Sequence, residues 1–201
     1  QFWFAILGLH KLGAVAIPAT HLMKQHDFEY RFEAAGVKAI ICTADGDAAR
    51  QVELAIKEKG LRLLQIMAGG VRDGWSSFDQ GIELWDDTFQ PEEAAGGREP
   101  SIMFFTSGTT GYPKIVTHSF LYPLGHFITA KYWQQVEPEG LHFTVSDTGW
   151  GKALWGKLYG QWLCEAPVFT YDMDSFDAGE IMEMIAKYQI TTFCAPPTVY
   201  R

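Results

Sequence analysis

Residues 37–67 read VKAIICTADGDAARQVELAIKEKGLRLLQIM. Val37 to Cys42 is a short run of β-branched and apolar residues and predicts a buried strand. Asp47 to Glu58 is amphipathic and predicts a helix stopped by Gly60, and Leu61 to Met67 returns to a strand pattern. Strand, helix and strand in that order make a βαβ unit, whose crossover helix lets the two strands run parallel. The fold class that follows is α/β: layered, mostly parallel sheets flanked by helices.

The same alternation extends in both directions. Upstream, Phe2 to Lys11 predicts a helix ending at Gly13, and Ala14 to Ile17 a short strand closed by Pro18, which has no N–H for a ladder. Asp27 stands where an N-cap belongs, and Phe28, Phe32 and Ala35 follow as one buried stripe that stops at Gly36. Downstream, Trp75 to Trp85 reads as partly helical, and the polar, Gly- and Pro-rich Gln90 to Pro100 marks the expected boundary between a first lobe, about 1–95, and a second, about 100–201. In the second lobe Ser101 to Thr106 predicts a strand, Ile115 to Thr117 a shorter one, and Ser119 caps a helix running to about Trp133. Strand Leu141 to Val145, helix Lys152 to Leu163, strand Pro167 to Thr170, helix Ala178 to Tyr188 and strand Ile190 to Cys194 complete the pattern.

Composition excludes several classes of function. The chain has 201 residues, 47% of them hydrophobic, enough apolar material for one sizeable core or two joined lobes. A formal charge of −8 and the lack of any Lys/Arg cluster argue against a nucleic-acid partner and favour a small molecule. Cys42, Cys164 and Cys194 are three, widely spaced and without a Cys-x-x-Cys pair, so neither a disulfide framework nor a zinc knuckle is indicated, and a reducing, cytoplasmic setting fits. Phe2 to Leu9 lacks a basic leader and is interrupted by His10 and Lys11, so it reads as a core helix and no membrane span is expected. Gln1 opens the chain without Met and enters a helical pattern with no cap, which reads as an excised fragment.

The chemistry concentrates in Thr106-Ser107-Gly108-Thr109-Thr110-Gly111-Tyr112-Pro113-Lys114, directly after an apolar strand. Gly108 and Gly111 can adopt positive φ and turn successive N–H groups inward as a nest. The hydroxyls donate to phosphate oxygens, and Lys114 adds a full positive charge. The alternative is a plain Ser/Thr/Gly hairpin turn. A Walker loop is excluded, because Gly-x-x-x-x-Gly-Lys-Ser/Thr occurs nowhere and Ile115 to Thr117 favour a strand after the lysine rather than a helix. No Gly-x-Ser-x-Gly elbow supports a serine hydrolase, and the six histidines form no His-Glu-x-x-His pattern. His118 reads as structural, Lys24 as solvated, and no protein-held metal site is expected.

The nine-residue string matches, position by position, the Ser/Thr-Ser-Gly-Ser/Thr-Ser/Thr-Gly-x-Pro-Lys phosphate loop of the adenylate-forming superfamily of acyl-CoA synthetases, luciferases and peptide-synthetase adenylation domains, with Tyr112 at the variable place. Ser146-Asp147-Thr148-Gly149-Trp150 resembles the corresponding segment of medium-chain acyl-CoA synthetases. Ala195-Pro196-Pro197-Thr198-Val199-Tyr200-Arg201 resembles another, and Gly13 to Lys24 looks like the branch's upstream strand and loop. The resemblance covers nearly the whole chain but only part of the family's large N-terminal domain.

It implies an AMP-forming acyl-CoA ligase for a fatty or other apolar carboxylate, using ATP with Mg²⁺ and CoA as co-substrate. Thr106, Ser107, Gly108, Thr109, Thr110, Gly111 and Lys114 would then hold the phosphates. Thr110 and Lys114 would stabilise the pyrophosphate, and Trp150 with Gly151 would border the acyl pocket. A Trp150 buried for packing is the competing reading, and the Trp155, Tyr159 and Trp162 stripe reads as core rather than pocket. The main catalytic lysine is expected outside these residues, so the 201 residues alone are expected to be inactive. An adenylating enzyme with a carrier-protein or luciferase-like acceptor, or a non-catalytic nucleotide-binding module, are the alternatives.

Overall fold

In the computed structural model, which describes residues 1–91, 96–107, 111–173 and 175–201, the βαβ stretch forms β1 (Ala39–Thr43), α3 (Ala48–Lys59) and β2 (Leu64–Ala68). β1 and β2 are parallel, paired from Ala39 opposite Leu64 to Thr43 opposite Ala68. A two-residue β3 (Ser76–Ser77) joins the far side of β2, giving the order β1-β2-β3. Asp47 precedes α3, and Gly60 ends it at φ 61°, in the left-handed region where a Cβ is disfavoured.

Two further helices belong to this unit. α1 (Phe2–Leu12) stops at Gly13, φ 73°, but it is not the core helix expected, because it buries only Ile6 and leaves Phe4 and Leu12 exposed. α2 (Gln25–Ala34) begins one turn earlier than expected, because Asp27 does not sit at the N-cap. It lies in the first turn, and its carboxylate accepts the Lys24 N–H at 3.0 Å, so it satisfies an orphan donor from inside the helix. Phe28 and Phe32 of α2 pack with Met23 against Val52 and Ala55 of α3, and the core lies there. Glu53, on α3, takes both the Arg72 guanidinium (2.6 and 2.7 Å) and the Trp75 indole N–H (2.9 Å). α4 (Phe78–Leu84) is capped by Ser77, whose hydroxyl accepts the Gln80 N–H at 3.3 Å. The strand expected at Ala14 to Ile17 is reduced to a single bridge at the buried Ala16, two residues before Pro18, which cannot extend the ladder.

β4 (Pro100–Thr106) and β5 (Lys114–Ser119) form a separate two-stranded sheet. Their connection is far too short for a parallel crossover, so they make a hairpin. The chain divides into two compact units, residues 1–94 with 105–116, and 95–104 with 117–201. Residues 105–116 thus group with the first unit. The reason is Tyr30, described below.

The second unit contains α5 (Tyr122–Ile128), which continues as a π-helical turn (Thr129–Gln134), then β6 (His142–Thr144), α6 (Gly151–Lys157), α7 (Tyr159–Leu163), β7 (Val168–Phe169), α8 (Ala178–Lys187) and β8 (Thr192–Cys194). The three strands are parallel in the order β7-β6-β8, with Phe143 buried between Phe169 and Phe193. The single helix expected from Lys152 to Leu163 is broken at Leu158 (φ −130°, ψ −76°). α7 then approaches α5 at Gly160, where a Cβ would come within 2.7 Å of the Ala130 methyl and collide with the His126 carbonyl. Ends of segments in this unit fall on Gln135, Glu165 and Gln189, all exposed and all at positive φ (56°, 59° and 53°), positions the first unit gives to Gly13, Gly36 and Gly60.

Candidate functional site

Thr106 ends β4 and Lys114 opens β5, so the two face each other at the mouth of the hairpin loop, with the Thr106 hydroxyl donating to the Lys114 carbonyl at 3.4 Å. Thr106, Ser107, Gly111 and Lys114 are all exposed. Gly111 has φ 101°, open to glycine and strained for any L side chain. Gly108, Thr109 and Thr110 lie outside the described residues.

The tip is held by a side chain that no local pattern selects. The Tyr30 hydroxyl, from α2, donates to the Pro113 carbonyl at 2.8 Å. Its ring stacks on Tyr112 (centroids 4.7 Å, 18° between planes) and meets the edge of Phe105 at 6.0 Å. The neighbouring Arg31 guanidinium lies 5.1 Å from the centre of the Phe105 ring, within cation–π range. Tyr30 is off the Phe28/Phe32 stripe, and its partners are distant in sequence, so no local pattern marks it. Tyr112, which fills the variable place of the loop string, is thereby a structural anchor.

A second feature follows the C-terminal end of β6, the central strand of its parallel sheet and the edge where α/β sheets bind ligands. Asp147 organises the turn: its carboxylate accepts the Gly149 N–H at 2.6 Å and its carbonyl the Trp150 N–H at 3.1 Å. Trp150 then precedes α6, its carbonyl accepting from Ala153 at 2.9 Å. Trp150 is 67% exposed within these 201 residues. A Cβ on Gly151 would stand 3.5 Å from Cζ of Phe104, in ordinary contact with the tip of that ring.

The His118 ring lies 4.2 Å from Tyr122 and 5.9 Å from Phe104. The stripe on α6 and α7 is only partly core: Tyr159 is buried, Trp155 packs near His126 and Trp133, and Trp162 is 45% exposed. Burial pushes the phenol of Tyr122 up to about 12 and that of Tyr159 higher still, so both remain neutral donors.

Beneath β6 lies a polar cluster that sequence inspection missed. The Gly156 carbonyl, near the helix break, accepts from His142 Nε2 (2.8 Å), the Thr144 hydroxyl (2.5 Å) and the Gln134 amide (3.1 Å). His142 Nε2 also lies 2.8 Å from the Thr144 hydroxyl, and Nδ1 lies 2.8 Å from the Thr192 hydroxyl, so both ring nitrogens are engaged. Gln161 donates to Gln134 and completes the cluster. Burial is the main cause holding the His142 pKa below its ordinary value, so the ring is neutral.

Among the described residues no group of three or more His, Cys, Asp or Glu side chains is placed to hold a metal ion, and no helix is long and apolar enough to cross a membrane. The helices and parallel sheets fit the α/β architecture expected, and solved structures share it. An anthranilate CoA ligase, AuaEII, in complex with anthranoyl-AMP superposes with a TM-score of 0.85 at 22% identity, over 98% of this chain and 38% of that one. The Brucella canis acyl-CoA synthetase gives 0.81 at 23%, over 98% and 35%.

By sequence the chain is 32% identical over 203 residues to acyl-coenzyme A synthetase ACSM4, mitochondrial, of Homo sapiens, and 32% identical over 202 residues to human ACSM3, also named mitochondrial. Each alignment takes in 100% of this chain and 34% of the relative, so the chain spans about a third of the length of these curated relatives. The family described as AMP-binding enzyme matches residues 1–201, from end to end, and the chain belongs to that family.

Proposed function

We propose that this chain is the phosphate-gripping part of an AMP-forming acyl-CoA ligase, an acid–thiol ligase acting on a fatty or other apolar carboxylate. The observation that carries the reading is the hairpin tip: exposed Thr106 and Ser107 hydroxyls beside the exposed Lys114 ammonium, on a loop braced by Tyr30, in a chain whose curated relatives are named acyl-CoA synthetases.

The chemistry asks little of a base. A free carboxylic acid with a pKa of roughly 4 to 5 is already ionised at neutral pH. Its oxygen attacks the α-phosphorus of ATP, the bond to pyrophosphate breaks, and acyl-AMP forms. The CoA thiol then takes the acyl group, loses its proton and releases AMP. What the first step requires is orientation of the carboxylate and neutralisation of the charge gathering on the leaving pyrophosphate. Thr106, Ser107, Thr109 and Thr110, the backbone at Gly108 and Gly111, and the Lys114 ammonium have the donor chemistry for that second task. The ammonium suits phosphate oxygens alone, whereas a hydroxyl oxygen can also ligate Mg²⁺, which would arrive bound to the nucleotide's phosphates. Trp150 and Gly151 are our candidates for the acyl-pocket border, supported by the exposed indole.

The thiols of Cys42, Cys164 and Cys194 are free, which supports a reducing compartment. We keep the cytoplasm as the proposal, to be checked by fractionation against mitochondria, since the relatives' names point there. The functional test is a panel of carboxylates on the full-length protein, reading pyrophosphate release with and without CoA. Pyrophosphate release that depends on carboxylate, with acyl-CoA formed only when CoA is present, is expected. Adenylation without transfer to CoA would move the assignment to another acceptor, and no carboxylate-dependent pyrophosphate at all would overturn it.

A further inference from the structure

Lys157, the last residue of α6, is 7% exposed. Burying an ammonium is costly unless something in the site repays the lost hydration. Its Nζ donates to the Ser146 carbonyl at 3.4 Å, and the Asp147 carboxylate attracts it; burial, the larger effect, holds its pKa below the ordinary lysine value. Both partners belong to the turn between β6 and α6. Asp147 in turn fixes the Gly149 and Trp150 amides (2.6 and 3.1 Å). The far end of α6 therefore reaches back to the start of the turn that leads into it, and the segment from Ser146 to Lys157 is closed on itself, with the exposed Trp150 indole at its surface.

We infer that Lys157 is a positioning residue, a clamp that fixes the 146–150 turn and thereby the placing of Trp150 against the acyl group of the carboxylate substrate. The acyl part of this rests on the ligase reading above; the clamp does not. A lysine kept only for packing would be replaced without loss by an apolar side chain of similar length, which gives the test its contrast.

The test uses Lys157→Met in the full-length protein with two readouts. Hydrogen exchange should speed up about tenfold or more at the Gly149 and Trp150 amides, while those of Phe143 and Thr144 in β6 keep their rates. The KM for the carboxylate should rise about tenfold, with the KM for ATP unchanged. A folded Lys157→Met protein with wild-type exchange at the turn and a wild-type carboxylate KM overturns the inference. An equal rise in both KM values overturns it too, because that is general loosening. Should Lys157→Met not fold, Asp147→Asn keeps an acceptor for Gly149 but drops the charge facing Lys157. A raised carboxylate KM there supports the clamp, and an unchanged one overturns it. Faster exchange at the turn in a protein inert toward every carboxylate would leave the clamp standing and sink the ligase reading instead.

Discussion

The hairpin tip and the cluster beneath β6 both rely on threonine hydroxyls, and they use them in opposite ways. At the tip, Thr106 and Ser107 are exposed beside Lys114. Around His142, the Thr144 hydroxyl and the Gln161 amide have no solvent exposure, and hydroxyl, imidazole and amide N–H are spent on one another and on the Gly156 carbonyl, while the Gln161 amide oxygen is left without a partner. Exposed donors exchange water for phosphate oxygens at little net cost, so they suit a ligand and contribute little to folding. Buried donors have no water to return to, and a network that pairs them fixes one arrangement of helix against sheet. The first region should therefore carry function without stability, and the second stability without function.

The largest expected effect tests the first half of that contrast. Lys114→Ala in the full-length enzyme should slow carboxylate-dependent pyrophosphate exchange by about 10²- to 10³-fold, the cost of about 2.7 to 4 kcal/mol for one preorganised donor. Its urea midpoint should barely move, as for other exposed substitutions. An unchanged exchange rate would break the comparison at once.

The reverse pattern is expected of Thr144→Val, which keeps the shape but removes a donor from Gly156. Unfolding should become easier by about 1 to 3 kcal/mol, with kcat/KM preserved. Loss of kcat/KM at full stability would show the buried cluster to be part of the site.

Tyr30→Phe sits between the two, since it removes the bond to Pro113 and keeps the stack on Tyr112. It should cost about 0.5 to 1.5 kcal/mol, read as a raised KM for ATP more than as a lowered unfolding midpoint. A change confined to the midpoint would make Tyr30 a brace of the fold alone.

Smallest is the response to pH. Burial holds the pKa values of His10, His126 and His142 below the ordinary value of 6.5. The unfolded chain then binds protons more readily than the folded one, so stability is full above 6.5, declines as pH falls below it, and levels off beneath the folded-state values. Melting temperatures from about pH 7.5 to about pH 5.5 should show the fall, reduced in His142→Asn. A rise on acidification would contradict the neutral ring.

The same contrast explains what could be read from sequence. The phosphate loop is contiguous, so residue types and spacing coincide in nine letters, and the βαβ unit declares its helix end through Gly60. The His142 cluster draws on positions 134, 142, 144, 156, 161 and 192, and no window spans them. Tyr30 is invisible for the same reason, with Phe105, Tyr112 and Pro113 brought to it only by folding. The break at Leu158 was hidden by the Trp155, Tyr159 and Trp162 periodicity, which a continuous helix satisfies equally well. What local patterning lacks is the sheet-side donors that take the Gly156 carbonyl and the close approach of α7 to α5 at Gly160.

The exposed Gln135, Glu165 and Gln189 have a practical corollary for protein engineering. Each holds a left-handed backbone that costs an L side chain about 1 to 2 kcal/mol and glycine nothing. Glycine gives part of this back through the greater freedom of the unfolded chain, and asparagine less of it. Three surface substitutions, far in sequence from both the loop and the Trp150 turn, thus offer a route to a hardier second unit.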